Sequence, residues 1–268
     1  MPPKRFWAEM TSPDFAAADM ANTIAVLPVA AIEQHGPHLP VGTDTFINEG
    51  YLRALVAALP DDLAVLVLPV QQIGKSNEHL EFHGTLTFSA ETCIRAWTEI
   101  GESVFRAGCR KLVFANSHGG NVPVVDIVAR DLRVRLGMLA VAGSWSRLGY
   151  PEEMFSARER YHGIHGGDAE TSLMLAFRPD TVKRAEARDF VPSTMGMEQE
   201  FKWLRATTPI GFGWMSQDLS AAGAMGDASA GTAAKGEACA AHGASAFVEL
   251  LRDVAAFDLA KLARGPLG

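Results

Sequence analysis

The sequence predicts an α/β protein built on a mostly parallel sheet with helices on both faces. Two observations carry this. Short apolar runs of β-forming residues alternate with longer stretches of helical periodicity, and polar, glycine-containing segments follow those runs. Length is the third: 268 residues at 48% hydrophobic composition fit one large domain with a packed core, and exclude a wholly disordered chain. No internal repeat and no linker-like stretch appears, so residues 1–268 are read as a single domain.

The elements follow in order. Residues 24–27 read as a buried strand, and residues 46–59 as a helix with Tyr51, Leu52, Leu55, Val56 and Leu59 spaced three or four apart. A second strand, 64–68, ends at Pro69. Ser89 is placed to cap the next helix, with Glu91 at its positive dipole end; Ile94, Trp97, Ile100, Val104 and Phe105 form its apolar stripe and Gly108 stops it. Residues 111–115 make a third strand, 122–136 a helix that tolerates Pro123 in its first turn, and 138–142 a fourth strand. Residues 191–232, rich in Gly, Ser, Thr and Ala, read as long loops over the sheet edge, over a site, or as an assembly surface. A final helix spans 232–254.

Composition excludes several classes. With 24 basic and 31 acidic residues the net charge is −7, which argues against a sequence-independent grip on nucleic acid. Cys93, Cys109 and Cys239 are odd in number and far apart, so neither a disulfide framework nor a thiolate zinc site is expected, and reduced thiols suit a cytoplasmic protein. The first fifteen residues lack the apolar core of a signal peptide, and the run at 64–70 falls far short of the ~20 residues of a membrane span. A soluble protein with no membrane and no nucleic-acid partner is expected.

Seven of the eight histidines lie between His35 and His165. After the first strand, Glu33 and His35 sit two apart in an extended segment and face one side, while Pro37 and Pro40 stiffen the turn that brings Asp44 to the next helix. Two carboxylates and an imidazole of this kind hold zinc, manganese or iron; a polar loop with an N-capping aspartate is the alternative. The third strand ends in Asn116, Ser117, His118, Gly119, Gly120 and Asn121, where Asn121 is a candidate helix cap and no P-loop lysine or GxGxxG pattern follows. In an open parallel sheet, ligands bind beyond the carboxyl ends of strands, where both loops lie. A third cluster, from Tyr161 and His162 through His165 to Asp168 and Glu170, leads into an apolar helix; acidic residues offsetting a helix dipole are its alternative reading. The segment from Gly74 to His79, with Glu81 and His83 just beyond, reads as a solvated hairpin in Lys75 and Glu81 and as a pocket wall in His79, leading into a strand at 84–87.

These motifs resemble the creatininase (creatinine amidohydrolase) family, in order through EQHGPHLPVGTD, EHLEFHGTLTFS, NSHGGN and HGGDAETSLMLA, and on to Gly226-Asp227-Ala228. The resemblance implies a three-layer α/β/α fold, a pair of divalent ions (Zn2+, Mn2+ or Fe2+), hydrolysis of a non-peptide amide bond in a small molecule, and a homo-oligomer, commonly a hexamer. It assigns Glu33, His35, Asp44 and His118 as metal ligands with Asp44 bridging, His165 as an acid/base beside the substrate, and Trp145 as a pocket aromatic. Creatininases carry a ligand glutamate at the position of Gly120 and tryptophan at that of Tyr161. The departure at Gly120 assigns Glu170 to complete the second ion's shell and to the catalytic group, and both departures count against creatinine itself as substrate. Tyr161, His162, His79 and Trp145 would shape the substrate pocket. Hydroxide held between the ions is the expected nucleophile, with His165 passing a proton to the leaving nitrogen. Deformylase- and peptidase-type members and a non-catalytic metal-stabilised binding or assembly protein are the alternatives. A serine hydrolase is disfavoured because no GxSxG elbow is present.

Overall fold

A computed structural model describes residues 4–263 and 265. The first three residues of the N-terminal segment considered above lie outside the described residues. Among those described, β1 (Ile24–Val29), β2 (Val65–Val67), β3 (Lys111–Asn116) and β4 (Leu139–Ser144) form a parallel sheet in the order β2-β1-β3-β4. Ile24 pairs with Val65 on one side and Lys111 on the other, and Lys111 pairs with Leu139.

The helices are α1 (Ser12–Ala17), α2 (Thr43–Ala58), α3 (Ala90–Arg106), α4 (Val122–Leu136), α5 (Ala157–His162), α6 (Asp168–Phe177), α7 (Thr194–Glu200), α8 (Ser216–Leu219) and α9 (Ala233–Ala256). Strand alternation builds two cores. Ile24, Val26, Val65, Val67, Val113 and Ala115 pack with α2, α6 and α9. Ala25, Leu27, Leu66, Leu112 and Phe114 pack with α3 and α4 on the other face, completing the three layers. Helix α6 lies tightly between its neighbours: a Cβ at Gly50 would meet the Phe177 ring at 2.2 Å, and one at Gly236 would meet the Ser172 carbonyl at 2.0 Å.

Several sequence expectations need correction. Helix α2 starts at Thr43, not 46, which puts Asp44 in its first turn. Residues 84–87 form no strand; Leu86 makes a single antiparallel bridge to Ile32. Asn121 does not cap α4. Its amide instead holds three loops together, donating to the Ala30 carbonyl (3.0 Å) and accepting from the Lys75 backbone N–H (2.9 Å). Residues 191–232 contain α7, α8 and short strand pairs, because tertiary contacts override weak local propensity there. Ser89 caps α3, and Cys93, Cys109 and Cys239 are buried free thiols.

Candidate metal centre

The parallel sheet delivers its loops to one edge. Glu33 and His35 follow β1, Asp44 stands in the first turn of α2, His118 follows β3, and His165 and Glu170 flank the start of α6. Their side chains converge. His118 Nδ1 lies 3.2 Å from Glu33 Oε1 and 3.3 Å from Asp44 Oδ2; His35 Nε2 lies 3.6 Å from Asp44 Oδ1 and 3.7 Å from Glu170 Oε2. The ligands named from sequence therefore do meet, with Glu170 on the His35 side. A cavity of about 340 Å³ opens onto Glu33, Asp44, His118, His165 and Glu170.

Backbone carbonyls select the histidine tautomers. Nδ1 of His35 donates to the Glu33 carbonyl (3.0 Å), leaving the Nε2 lone pair toward Asp44 and Glu170. Nε2 of His118 donates to the Lys75 carbonyl (2.9 Å), leaving Nδ1 toward Glu33 and Asp44. Nε2 of His165 donates to the Gln34 carbonyl (2.6 Å), so its Nδ1 is the basic atom. Locking the remote N–H in this way is how proteins orient imidazoles that bind metal.

Both carboxylate oxygens of Glu33, Nε2 of His35 and Oδ2 of Asp44 are fully buried without a hydrogen-bond partner. Buried polar atoms are rarely left so, because desolvation without a partner is costly. Two carboxylate groups and two lone-pair nitrogens, all turned to a common space, fit a divalent cation of the zinc or manganese kind. The donors fall into overlapping sets, among them Glu33–His35–Asp44 and His35–His165–Glu170.

Electrostatics without ions reflects the crowding. Burial alone would lower His35, but Asp44, Glu170 and Glu33 outweigh it and hold the imidazole up at about 9; His118 is raised likewise by Glu33 and Asp44. Burial raises Glu33, and raises Glu170 to about 7, while Asp44, although buried, is held far below the usual carboxylate range by His35 and His118. Burial and the His35 charge push His79 down to about 3 and His165 well below its ordinary value.

The pocket wall departs from expectation. His79 lines the cavity, 3.4 Å from Glu33 Oε1, and its Nδ1 accepts from Gln34 Nε2 (2.8 Å). Trp145, Tyr161 and His162 are corrections, since none of them lines it. Trp145 is a core residue stacked on Tyr51, and its indole N–H donates to Asn48, whose amide ties the ends of β1 and β3. Tyr161 lies outside, donating to the Thr208 carbonyl, and His162 pairs with Thr194. Sequence reasoning missed Glu78, Ile164, Thr207 and Trp214, which do line the cavity. The last two come from the irregular stretch, where no periodicity marks a pocket residue. It also missed Glu159: this buried carboxylate accepts the backbone N–H groups of Asp168 (2.7 Å) and Asp227 (2.9 Å), and so anchors the start of α6.

An open parallel sheet carrying buried, partnerless carboxylates and imidazoles at its carboxyl edge defines the class: an α/β protein with a centre suited to divalent metal. Within that class the chain belongs to the creatininase family, whose model, described as creatinine amidohydrolase, matches residues 8–251. A mycofactocin precursor peptide peptidase of Mycobacterium tuberculosis is 34% identical over 169 residues, covering 59% of this chain and 60% of that protein, less than two thirds of its length. The creatinine amidohydrolase of Pseudomonas putida is 30% identical over 223 residues, covering 76% of this chain and 84% of that protein. A manganese form of creatininase superposes with a TM-score of 0.73 at 25% identity, over 94% of this chain and 98% of that one.

Proposed function

We propose that this protein is a metal-dependent amidohydrolase that cleaves a C–N amide bond in a small molecule, using two divalent ions. The carrying observation is the set of buried, unpartnered atoms on Glu33, His35 and Asp44, two of which, Glu33 and Asp44, line the cavity. Glu33, His35, Asp44, His118 and Glu170 would hold the ions, with Asp44 between the two histidines that supply lone pairs. Bound there, divalent ions supply Lewis-acid polarisation of the amide carbonyl and bring the pKa of water toward neutrality.

The chain's own groups handle binding and protons. Nδ1 of His165 is a neutral base facing Glu33 (3.6 Å), with its ring fixed through Nε2 on Gln34. It takes up a proton at Nδ1 and returns it to the leaving nitrogen. His79, held neutral by burial and with Nδ1 accepting from Gln34, turns Nε2 toward Glu33 at 3.4 Å. Ile164, Thr207 and Trp214 line the same cavity.

A peptidase-type activity is the second reading, favoured by the mycofactocin precursor peptide peptidase and by exposed Phe201, Trp203, Ile210 and Phe212 on the segment that also supplies Thr207. Assembly into a homo-oligomer, a hexamer by family resemblance, and a cytoplasmic location belong to the same proposal. Among the described residues no helix is long and apolar enough to cross a membrane. Purified protein assayed on a panel of linear and cyclic amides, with and without chelator, tests the activity; turnover that a chelator leaves unchanged contradicts it.

A further inference from the structure

We propose that Glu78 makes the cavity selective for amides that carry a positively charged N–H donor, an ammonium or amidinium, away from the bond that is cut. The inference rests on the amidohydrolase reading and names its substrate class. The cavity wall divides by chemistry. Glu33, Asp44, His118 and Glu170 lie at the floor, with His79 and His165 beside them; apart from Gly119 and Gly120, this leaves Glu78, Ser117, Ile164, Thr207 and Trp214 for the substrate. Ser117 already donates to the Asp44 carbonyl (2.9 Å), and the Trp214 indole donates to the Ala206 carbonyl (3.0 Å). Among the described residues no Lys or Arg lines this cavity, so Glu78 is the one formal charge on the substrate-facing wall. An anionic group would meet that charge with no side-chain cation to offset it.

Glu78 is available for this. Its one basic partner within ion-pair distance among the described residues is Nε2 of His118 at 3.6 Å, and that nitrogen already donates to the Lys75 carbonyl at 2.9 Å. Donor atoms of Glu33, Glu78 and His118 do lie within 4.8 Å of one another. The lone pair of His118, however, is on Nδ1, which faces Glu33 and Asp44. We therefore place Glu78 on the wall and not among the ion ligands, and the manganese content of Glu78→Gln decides between the two. Its position is built: a Cβ at Gly120 would lie 2.4 Å from Glu78 Oε1 and 2.4 Å from the Lys75 carbonyl, so only glycine leaves the carboxylate its place. At 18% exposure the side chain is reachable by a ligand, yet sheltered enough for a charge-assisted hydrogen bond to survive screening.

The test uses full-length protein loaded with Mn2+ and three amides of similar length: 4-aminobutanamide, pentanamide and succinamate. Titration calorimetry reads affinity and ammonia release reads hydrolysis. The cationic amide should bind about tenfold tighter than pentanamide, with succinamate weakest. Glu78→Gln should abolish that preference while leaving pentanamide binding, bound manganese and the melting temperature unchanged. Equal or reversed affinities, a preference retained in Glu78→Gln, binding of none of the three, or loss of an ion in Glu78→Gln overturns the proposal. Glu78-dependent preference without ammonia release upholds it and defeats the amidohydrolase reading, whereas ammonia release blind to charge does the opposite.

Discussion

At the scale of single residues, the centre is defined by atoms that lack partners. His165→Gln removes the proton carrier but no proposed ligand, so it should lower kcat by about 10²–10⁴-fold while metal content stays the same. Element analysis beside steady-state kinetics checks this. Glu33→Gln should instead reduce metal content itself, since both Glu33 oxygens face the centre unpartnered. The metal-free protein also has a definite pH response. A histidine whose folded pKa exceeds the ordinary ~6.5 adds stability that is complete below ~6.5 and lost as pH rises through the folded value. His35, at about 9, and His118, also raised, both behave this way. His79 and His165 are pushed down, and Glu170 sits at about 7, so above pH 7 these add little further change. Chelated protein should therefore melt at progressively lower temperature from pH 7 toward 9, and the fall should shrink in His35→Gln. Metal affinity should rise over the same interval, because ions compete with protons for these imidazoles. A flat melting profile in the chelated protein would contradict this account.

At the scale of elements, α6 is held from two sides. Glu159 caps its start in place of Gly167, which offers no side chain, and Gly236 lets α9 approach Ser172. Glu159→Ala strands two backbone N–H groups and should cost about 1–3 kcal/mol by denaturant unfolding. Gly236→Ala gains up to about 1 kcal/mol of helix propensity but drives a methyl into a backbone carbonyl, so a net loss of stability is expected. A stabilised Gly236→Ala would show that the helices separate freely. The regular elements were legible in the sequence because each buries a continuous apolar run or stripe: 24–27 and 111–115 fall inside β1 and β3, and Ser89 caps α3. The start of α2 was not, because Gly42, Thr43 and Asp44 carry no apolar periodicity. The meeting of Glu33, His35, Asp44 and His118 was legible because loops after parallel strands share an edge; Glu170 entered only through the family resemblance. Trp145 was not, since stacking on Tyr51 in the core leaves no trace in local pattern. Nor was Glu159, a helix cap supplied from another helix.

At the scale of the whole molecule, the three layers set a stable frame and the carboxyl edge of the sheet concentrates charge that a frame alone does not need. Bound ions should stabilise the native state by mass action, so the melting temperature should rise with metal concentration and fall with a chelator. The exposed Val191, Trp203 and Ile210 lie in the same irregular stretch that supplies Thr207 and Trp214 to the cavity. The most direct test of the central claim is a single preparation assayed twice: element analysis for bound divalent metal, and amide hydrolysis before chelation, after chelation and after metal is restored. The account predicts two ions per chain and activity that disappears and returns with them. Protein that takes up no divalent metal, or hydrolyses amides equally well without it, would contradict the account.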